Sequence, residues 1–235
     1  MLSLEENYRN LRADIARTAE KAGRAGDEIG VVVVTKQVSS EAVRQVYRAG
    51  VSMVGENRVQ EALRKRGELS DLPLEWHLIG HLQTNKVKQA VEAFSLIHSV
   101  DRLPLAEALA AAAQKAGKVQ EILVQVNVSG EASKFGLPLA EALDGIRAIK
   151  AFPGLLVKGL MTIAPFGEPE EARRHFRRLR ELFEEAREIS GSELTVLSMG
   201  MSNDYRVAIE EGATLLRIGT AIFGERNKQN LEEEC

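Results

Sequence analysis

Lys36 closes the run Ile29-Gly30-Val31-Val32-Val33-Val34-Thr35, an apolar, β-branched stretch of the kind that forms a strand buried on both faces. A lysine ending such a strand puts a primary amine at the rim of a barrel or sheet, where α/β proteins keep their ligands. Partly desolvated, that amine loses its proton readily and condenses with a carbonyl compound to an imine. Two other stretches suit phosphate. Ser198-Met199-Gly200-Met201-Ser202-Asn203-Asp204 joins a strand to a helix and supplies a glycine, hydroxyls and the N–H groups of a helix start. Arg217-Ile218-Gly219-Thr220 ends the last strand, with Gly219 allowing close backbone approach and Thr220 offering a further donor. Arg217 lies among Leu215, Leu216 and Ile218 and is costly there unless it meets an acceptor, either a carboxylate such as Glu56 or a ligand in the mouth. Amine, phosphate cradle and arginine together suit a phosphorylated aldehyde held as a Schiff base, of which pyridoxal phosphate is the obvious member. The plain alternatives are a solvated lysine capping a strand and two tight turns with capping serines.

The elements that must position these groups follow from hydrophobic periodicity. Residues 4–25 carry a helical pattern ahead of the first strand. Ser39-Ser40-Glu41 marks the next helix start. Strands are predicted at Ser52–Gly55, Glu75–Ile79, Leu96–Val100, Ile122–Val128, Leu155–Met161, Leu194–Ser198 and Thr214–Ile218. Helices are predicted between them at Val59–Arg66, Thr84–Ala93, Pro104–Ala116, Pro138–Ala151, Pro169–Ile189 and Asp204–Glu210. Strict alternation of about eight strands with helices implies parallel pairing in a closed (β/α)8 TIM-type barrel with an additional N-terminal helix. An open doubly wound sheet is the second choice, since no Gly-x-Gly-x-x-Gly turn follows the first strand. One domain over residues 1–235 is expected, with a polar tail fraying over 227–235. In a barrel the rim candidates are then Lys36, Glu56-Asn57-Arg58, His77 to His81, Ser99, Asp101, Asn127, Met161-Thr162, and the two phosphate stretches.

Composition narrows the function classes. A formal net charge of −3 provides no excess of basic residues to neutralise a phosphate backbone, so nucleic acid is not an expected partner. No stretch approaches the ~20 apolar residues that span a bilayer, and the first residues lack the order of a secretory signal, so a cytoplasmic location is the default. The single cysteine, Cys235, excludes an internal disulfide and a cysteine cluster for metal. His77 and His81 lie four apart, but in a strand that spacing separates them by ~13 Å, and no zincin glutamate follows the first. No metal site is expected; His81 reads as a mouth residue, His77 as a satisfied core or rim histidine, and His98 and His175 as structural or surface positions.

Several segments in order resemble one family: Val34-Thr35-Lys36, Gly55-Glu56-Asn57-Arg58-Val59-Gln60-Glu61, Trp76 through Lys86, Gly159-Leu160-Met161-Thr162, Ser198 through Asp204, and Arg217 through Gly224. From about Leu4 to Arg226 the chain resembles the pyridoxal phosphate homeostasis proteins. The resemblance implies a single-domain barrel similar to the amino-terminal domain of alanine racemase, without that enzyme's second domain. It implies that Lys36 holds the aldehyde of pyridoxal phosphate as a Schiff base. Ser202 with nearby backbone such as Met201, and Gly219 with Thr220, would hold the phosphate. Arg217 would face the pyridine nitrogen, and Asn57 would line the same pocket. Binding, buffering and delivery of the cofactor to dependent apoenzymes are the implied roles, by a monomer and without catalysis. An arginine at the ring nitrogen disfavours a protonated pyridinium and so an electron sink. Tyr8, Tyr47 and Tyr205, the candidates for a second catalytic base, fall in predicted helices away from the mouth. The rival readings are a pyridoxal phosphate-dependent racemase using His81 as a second base, and a cofactor-free aldolase using Lys36.

Overall fold

The computed structural model describes residues 2–190 and 194–225, so the expected tail at 227–235 and Cys235 lie outside the described residues. Ser3 opens the first helix, α1 (Leu4–Lys21), through a reciprocal capping box with Glu6. The helix lays Tyr8, Leu11, Ile15 and Ala19 on the protein. The chain then alternates: β1 (Gly30–Val34), α2 (Ser40–Arg48), β2 (Met53–Glu56), α3 (Val59–Glu68), β3 (Glu75–Leu78), α4 (Val87–Ala93), β4 (Leu96–Val100), α5 (Leu103–Lys115), β5 (Gln120–Asn127). After a two-residue strand, β6 (Leu137–Pro138), it continues through α6 (Ala142–Lys150), β7 (Leu155–Met161), α7 (Pro169–Ser190), β8 (Val196–Ser198), α8 (Tyr205–Glu210), β9 (Leu215–Ile218) and α9 (Thr220–Phe223).

Every strand pairing is parallel, in the order β4-β3-β2-β1-β9-β8-β7-β5, and β4 also pairs with β5. That last pairing closes eight strands into a ring, while β6 pairs only with Val126 and Asn127 at the end of β5. The expected (β/α)8 barrel with its N-terminal helix is therefore the fold. Alternation along the strands sorts side chains into two layers. Val31, Val33, Val54, Trp76, Leu78, Ile97, Leu216 and Ile218 belong to the large cluster packed against the helices. Val32, Val34, Ile79, Leu96, Leu123, Met161 and Leu215 form a separate cluster, the fill of the barrel itself.

Three boundaries differ from expectation. β1 stops at Val34, and Lys36 sits two residues on, in a turn rather than as the last strand residue. Pro138 belongs to β6, and the sixth helix starts only at Ala142 after a 3-10 turn. The short α9 follows the final strand directly, where no helix was predicted.

Candidate functional site

Register fixes which residues share the rim at the C-terminal ends of the strands. Val34 is level with Gly55, and Glu56 with Leu78. Two residues beyond Val34 and Gly55, Lys36 lies in the turn after β1 and Asn57 in the bend after the neighbouring β2. On the other side Val33 is level with Ile218, so Gly219 and Thr220 leave the strand beside the Lys36 turn. Both Lys36 and Asn57 are half-buried. Gly80 presses on Asn57: a Cβ there would lie 2.3 Å from the Asn57 carbonyl oxygen, so only glycine lets this backbone approach.

The two phosphate-type loops are joined to each other. Ser202 Oγ accepts hydrogen bonds from Gly219 N–H at 3.3 Å and Ala221 N–H at 3.1 Å. Arg217 N–H donates to the Gly200 carbonyl at 3.0 Å, which ties the first loop to β9. Gly200 has φ +91°, and a Cβ on it would sit 2.5 Å from that of Ala208. Asp204 Oδ1 accepts from Met201 N–H at 2.6 Å and closes the loop from within. Burial raises the Asp204 pKa, against the opposing pull of that backbone bond. Met201 thus spends its N–H on Asp204, whereas Ser202 meets Gly219 and Ala221 across the loops, and Thr220 between them in sequence is exposed. Ala221 was absent from the sequence-based set; its signal is its place in the first turn of a helix after a strand.

Arg217 shares the inward parity of Leu215 and is 4% exposed. Its Nη1 donates to Ser198 Oγ at 2.7 Å and its Nη2 to the Thr162 carbonyl at 2.8 Å. Burial lowers its pKa to about 10, which leaves it charged at neutral pH. The proposed alternative pairing with Glu56 does not occur. Glu56 follows the outward parity of Val54 and meets Lys65 from α3, Oε1 to Nζ 2.8 Å. Arg217 and Glu56 therefore lie on opposite faces of the sheet.

From Ser198 a polar seam crosses the barrel interior. His98 Nδ1 lies 3.0 Å from Ser198 Oγ, and His98 Nε2 lies 3.1 Å from His77 Nδ1. Burial keeps both rings neutral, lowering His77 to about 4 and His98 well below the usual histidine range, with His77 and Arg217 adding to the latter. His98 was read as an ordinary position. Its inward parity with Leu96 was the available signal, and the pairing across strands was not legible in a single sequence.

The remaining rim candidates divide. His81 is exposed, sits 3.1 Å from Asp101 Oδ2 through Nδ1, and stacks on Phe135 at 4.1 Å between ring centroids. Asn127 folds its own loop, donating to the Glu131 and Lys134 carbonyls and accepting from the Ser129 hydroxyl and Gly130 N–H. Thr162 Oγ1 donates to the Val126 carbonyl. Tyr205 follows the first loop on α8, and its hydroxyl donates to Asp14 of α1. A cavity of about 190 Å3 lies at the opposite end of the barrel, where the strands begin, lined by Glu75, His77, Glu121 and Thr214 among others. Of the residues expected at the rim it holds His77, which therefore belongs to this end of the barrel and not to the rim. Among the described residues no group of three or more His, Cys, Asp or Glu could hold a metal ion, and no helix is long and apolar enough to cross a membrane.

A closed barrel with a rim lysine, two linked phosphate-type loops and a buried inward arginine defines a class, and comparison with known proteins names it. The family model described as alanine racemase, N-terminal domain, matches residues 6–227. The pyridoxal phosphate homeostasis protein of Aquifex aeolicus is 46% identical over 213 residues, covering 90% of this chain and 93% of the relative. That of Pseudomonas aeruginosa is 43% identical and covers 97% of each chain. Among solved structures, PipY of Synechococcus elongatus with PLP bound superposes with a TM-score of 0.84 at 36% identity, covering 94% of this chain and all of PipY. Alanine racemase of Corynebacterium glutamicum shares the fold, with a TM-score of 0.74 at 16% identity over 96% of this chain and 62% of that enzyme. The chain belongs to the alanine racemase N-terminal domain family and, within it, to the pyridoxal phosphate homeostasis proteins.

Proposed function

We propose that this protein binds pyridoxal phosphate at the C-terminal mouth of the barrel, with Lys36 as the covalent anchor, and serves to buffer the cofactor and deliver it to dependent apoenzymes in the cytoplasm. The observation that carries the reading is the linked pair of loops beside the Lys36 turn. There the Gly219 and Ala221 N–H groups already donate to an oxygen, Ser202 Oγ, in the role a phosphate oxygen would take. Relatives named for pyridoxal phosphate homeostasis and a neighbour solved with PLP bound support it.

The donor set fits the group. Ser202, Gly219, Thr220 and Ala221 would hold the phosphate, with Met201 contributing loop backbone. Arg217 has five N–H donors and no acceptor; with two of the five bound to Ser198 and Thr162, the rest can serve an unprotonated ring nitrogen. Its positive charge opposes protonation of that nitrogen. Asn57, which follows β2 as Lys36 follows the neighbouring β1, would line the same mouth. When bound, the cofactor supplies an aldehyde and an electron-withdrawing ring. Attachment joins Lys36 Nζ to the aldehyde carbon as a C=N bond and releases the aldehyde oxygen as water.

A carrier rather than a catalyst is the reading these residues support. Arg217 withholds the protonated ring that stabilises carbanions, and the buried histidines are kept neutral inside the barrel. At the rim, the exposed His81 lies against the buried Asp101 and has its ring stacked on Phe135. Binding of pyridoxal phosphate by wild type and Lys36→Ala, followed by dialysis and absorbance, tests the reading. The wild type should gain a visible band that survives dialysis. Lys36→Ala should lack the band and bind about tenfold or more weakly through phosphate contacts alone. An undiminished band in that variant would move the anchor to another lysine.

A further inference from the structure

We propose that Lys65 and Glu61, both on α3, are positioning residues that clamp the turn carrying Lys36, so that covalent attachment of an aldehyde there depends on them. The inference rests on the reading above that Lys36 is the anchor.

Lys65 is fully buried between the barrel and its helices. An ammonium group has three donors, and each finds an acceptor: the Thr35 carbonyl at 2.5 Å, Glu56 Oε1 at 2.8 Å and Glu61 Oε1 at 2.7 Å. The same Glu61 oxygen accepts from Gln37 N–H at 2.6 Å, and Thr35 Oγ1 donates to Glu56 Oε1 at 2.6 Å. The residue before Lys36 and the residue after it are thus tied to one cluster.

The backbone shows why a clamp is needed. Gln37 has φ 57° and is the only non-glycine residue with positive φ among the described residues. Left-handed conformation is unfavourable for an L residue with a Cβ and persists where surrounding bonds enforce it. Glu61 supplies that bond to Gln37 N–H, and Val38 N–H donates back to the Thr35 carbonyl at 2.9 Å to close the turn. An apolar side chain would fill the space around Lys65 with less desolvation cost. What it could not do is hold a carbonyl and two carboxylates at fixed distances. The electrostatics agree: burial raises the Glu56 pKa despite Lys65 and Thr35, leaving Oε2 buried with no hydrogen-bond partner among the described residues. Partial burial also acts on Glu61, yet the bonds from Lys65 and Gln37 outweigh it and lower that pKa. One carboxylate thereby stays ionised beside the turn.

A comparison of two ligands separates positioning from folding. Pyridoxal phosphate can form the C=N bond; pyridoxine phosphate carries an alcohol in place of the aldehyde and can use only the phosphate and ring contacts. Wild type, Glu61→Ala, Glu61→Gln, Lys65→Met and Lys36→Ala would each be titrated with both, with borohydride trapping of the first and a thermal melt. Glu61→Ala and Lys65→Met should lose about tenfold in affinity for pyridoxal phosphate and most of the trapped fraction, while pyridoxine phosphate binds within about twofold of wild type. Glu61→Gln, which keeps a carbonyl acceptor for Gln37 N–H, should recover most of the loss. Wild-type pyridoxal phosphate binding by Glu61→Ala overturns the inference, and so does an equal loss for both ligands. If Lys65→Met does not fold, the half-buried Glu61 still decides the matter. If Lys36→Ala binds pyridoxal phosphate as the wild type does, the anchor reading has failed rather than the clamp.

Discussion

Arg217 shows how much one residue's direction decides. On the outer face it would be a structural ion-pair partner for Glu56; on the inner face it is a buried cation with Ser198 and the Thr162 carbonyl for company. Replacing it by methionine keeps the volume and removes the charge from the mouth. Arg217→Met should fold, with a stability change within about 2 kcal/mol, because Ser198 retains His98 as a partner. Its pyridoxal phosphate affinity should fall about tenfold, with an absorbance spectrum that becomes pH-dependent as the ring nitrogen titrates. A spectrum as insensitive to pH as the wild type's would contradict the assignment of Arg217 to the ring. The residue types were legible in the sequence: the seven residues proposed for the cofactor, Lys36, Asn57, Met201, Ser202, Arg217, Gly219 and Thr220, are all read from the ends of predicted strands. Their partners were not. That Lys65 rather than Arg217 meets Glu56 depends on a helix face laid against a strand, which spacing alone does not encode.

At the scale of elements, α8 is what holds the first phosphate-type loop. It is six residues long, too short to stand without packing. On one side Tyr205 and Arg206 donate to Asp14 of α1 at 2.5 and 2.7 Å. Burial opposes ionisation of Asp14, but bonds from Tyr205, Arg206 and Arg17 prevail and lower its pKa to about 2. On the other side Glu211, just past the helix and 4% exposed at its side chain, receives Arg173, Arg177 and Arg180 of α7. Glu211→Ala should lower unfolding stability by about 2–3 kcal/mol, less than a fully buried pair would cost since the arginines can reach water. Because α8 then loosens, affinity for pyridoxine phosphate should fall with it; unchanged affinity alongside the stability loss would show that the loop is held independently. The order of strands and helices was legible because buried parallel strands read as apolar runs and their helices carry the 3.6-residue period. What escaped were elements of about one period, too short to show a repeat: β6 at Leu137–Pro138 and α9 at Thr220–Phe223.

The whole molecule is a barrel whose fill is not uniformly apolar, and pH should expose that. Neutral His77 takes a proton in the folded state only near pH 4, whereas in the unfolded chain a histidine does so near 6.5. Stability is therefore complete above about 6.5 and declines as the pH falls toward 4, by about 2 kcal/mol at pH 5 from His77 alone. Urea midpoints at pH 7 and pH 5 should differ accordingly, and His77→Asn should shrink the difference; an equal difference in both proteins would contradict a neutral, buried His77. The central claim concerns the other end of the barrel, where strand order brings Lys36 beside Gly219 and Thr220. Its most direct test is borohydride reduction of the protein loaded with pyridoxal phosphate, followed by peptide mapping by mass. The account predicts one modified peptide, with the pyridoxyl group on Lys36. A modification on any other lysine, or none in a protein that holds the cofactor, would contradict it.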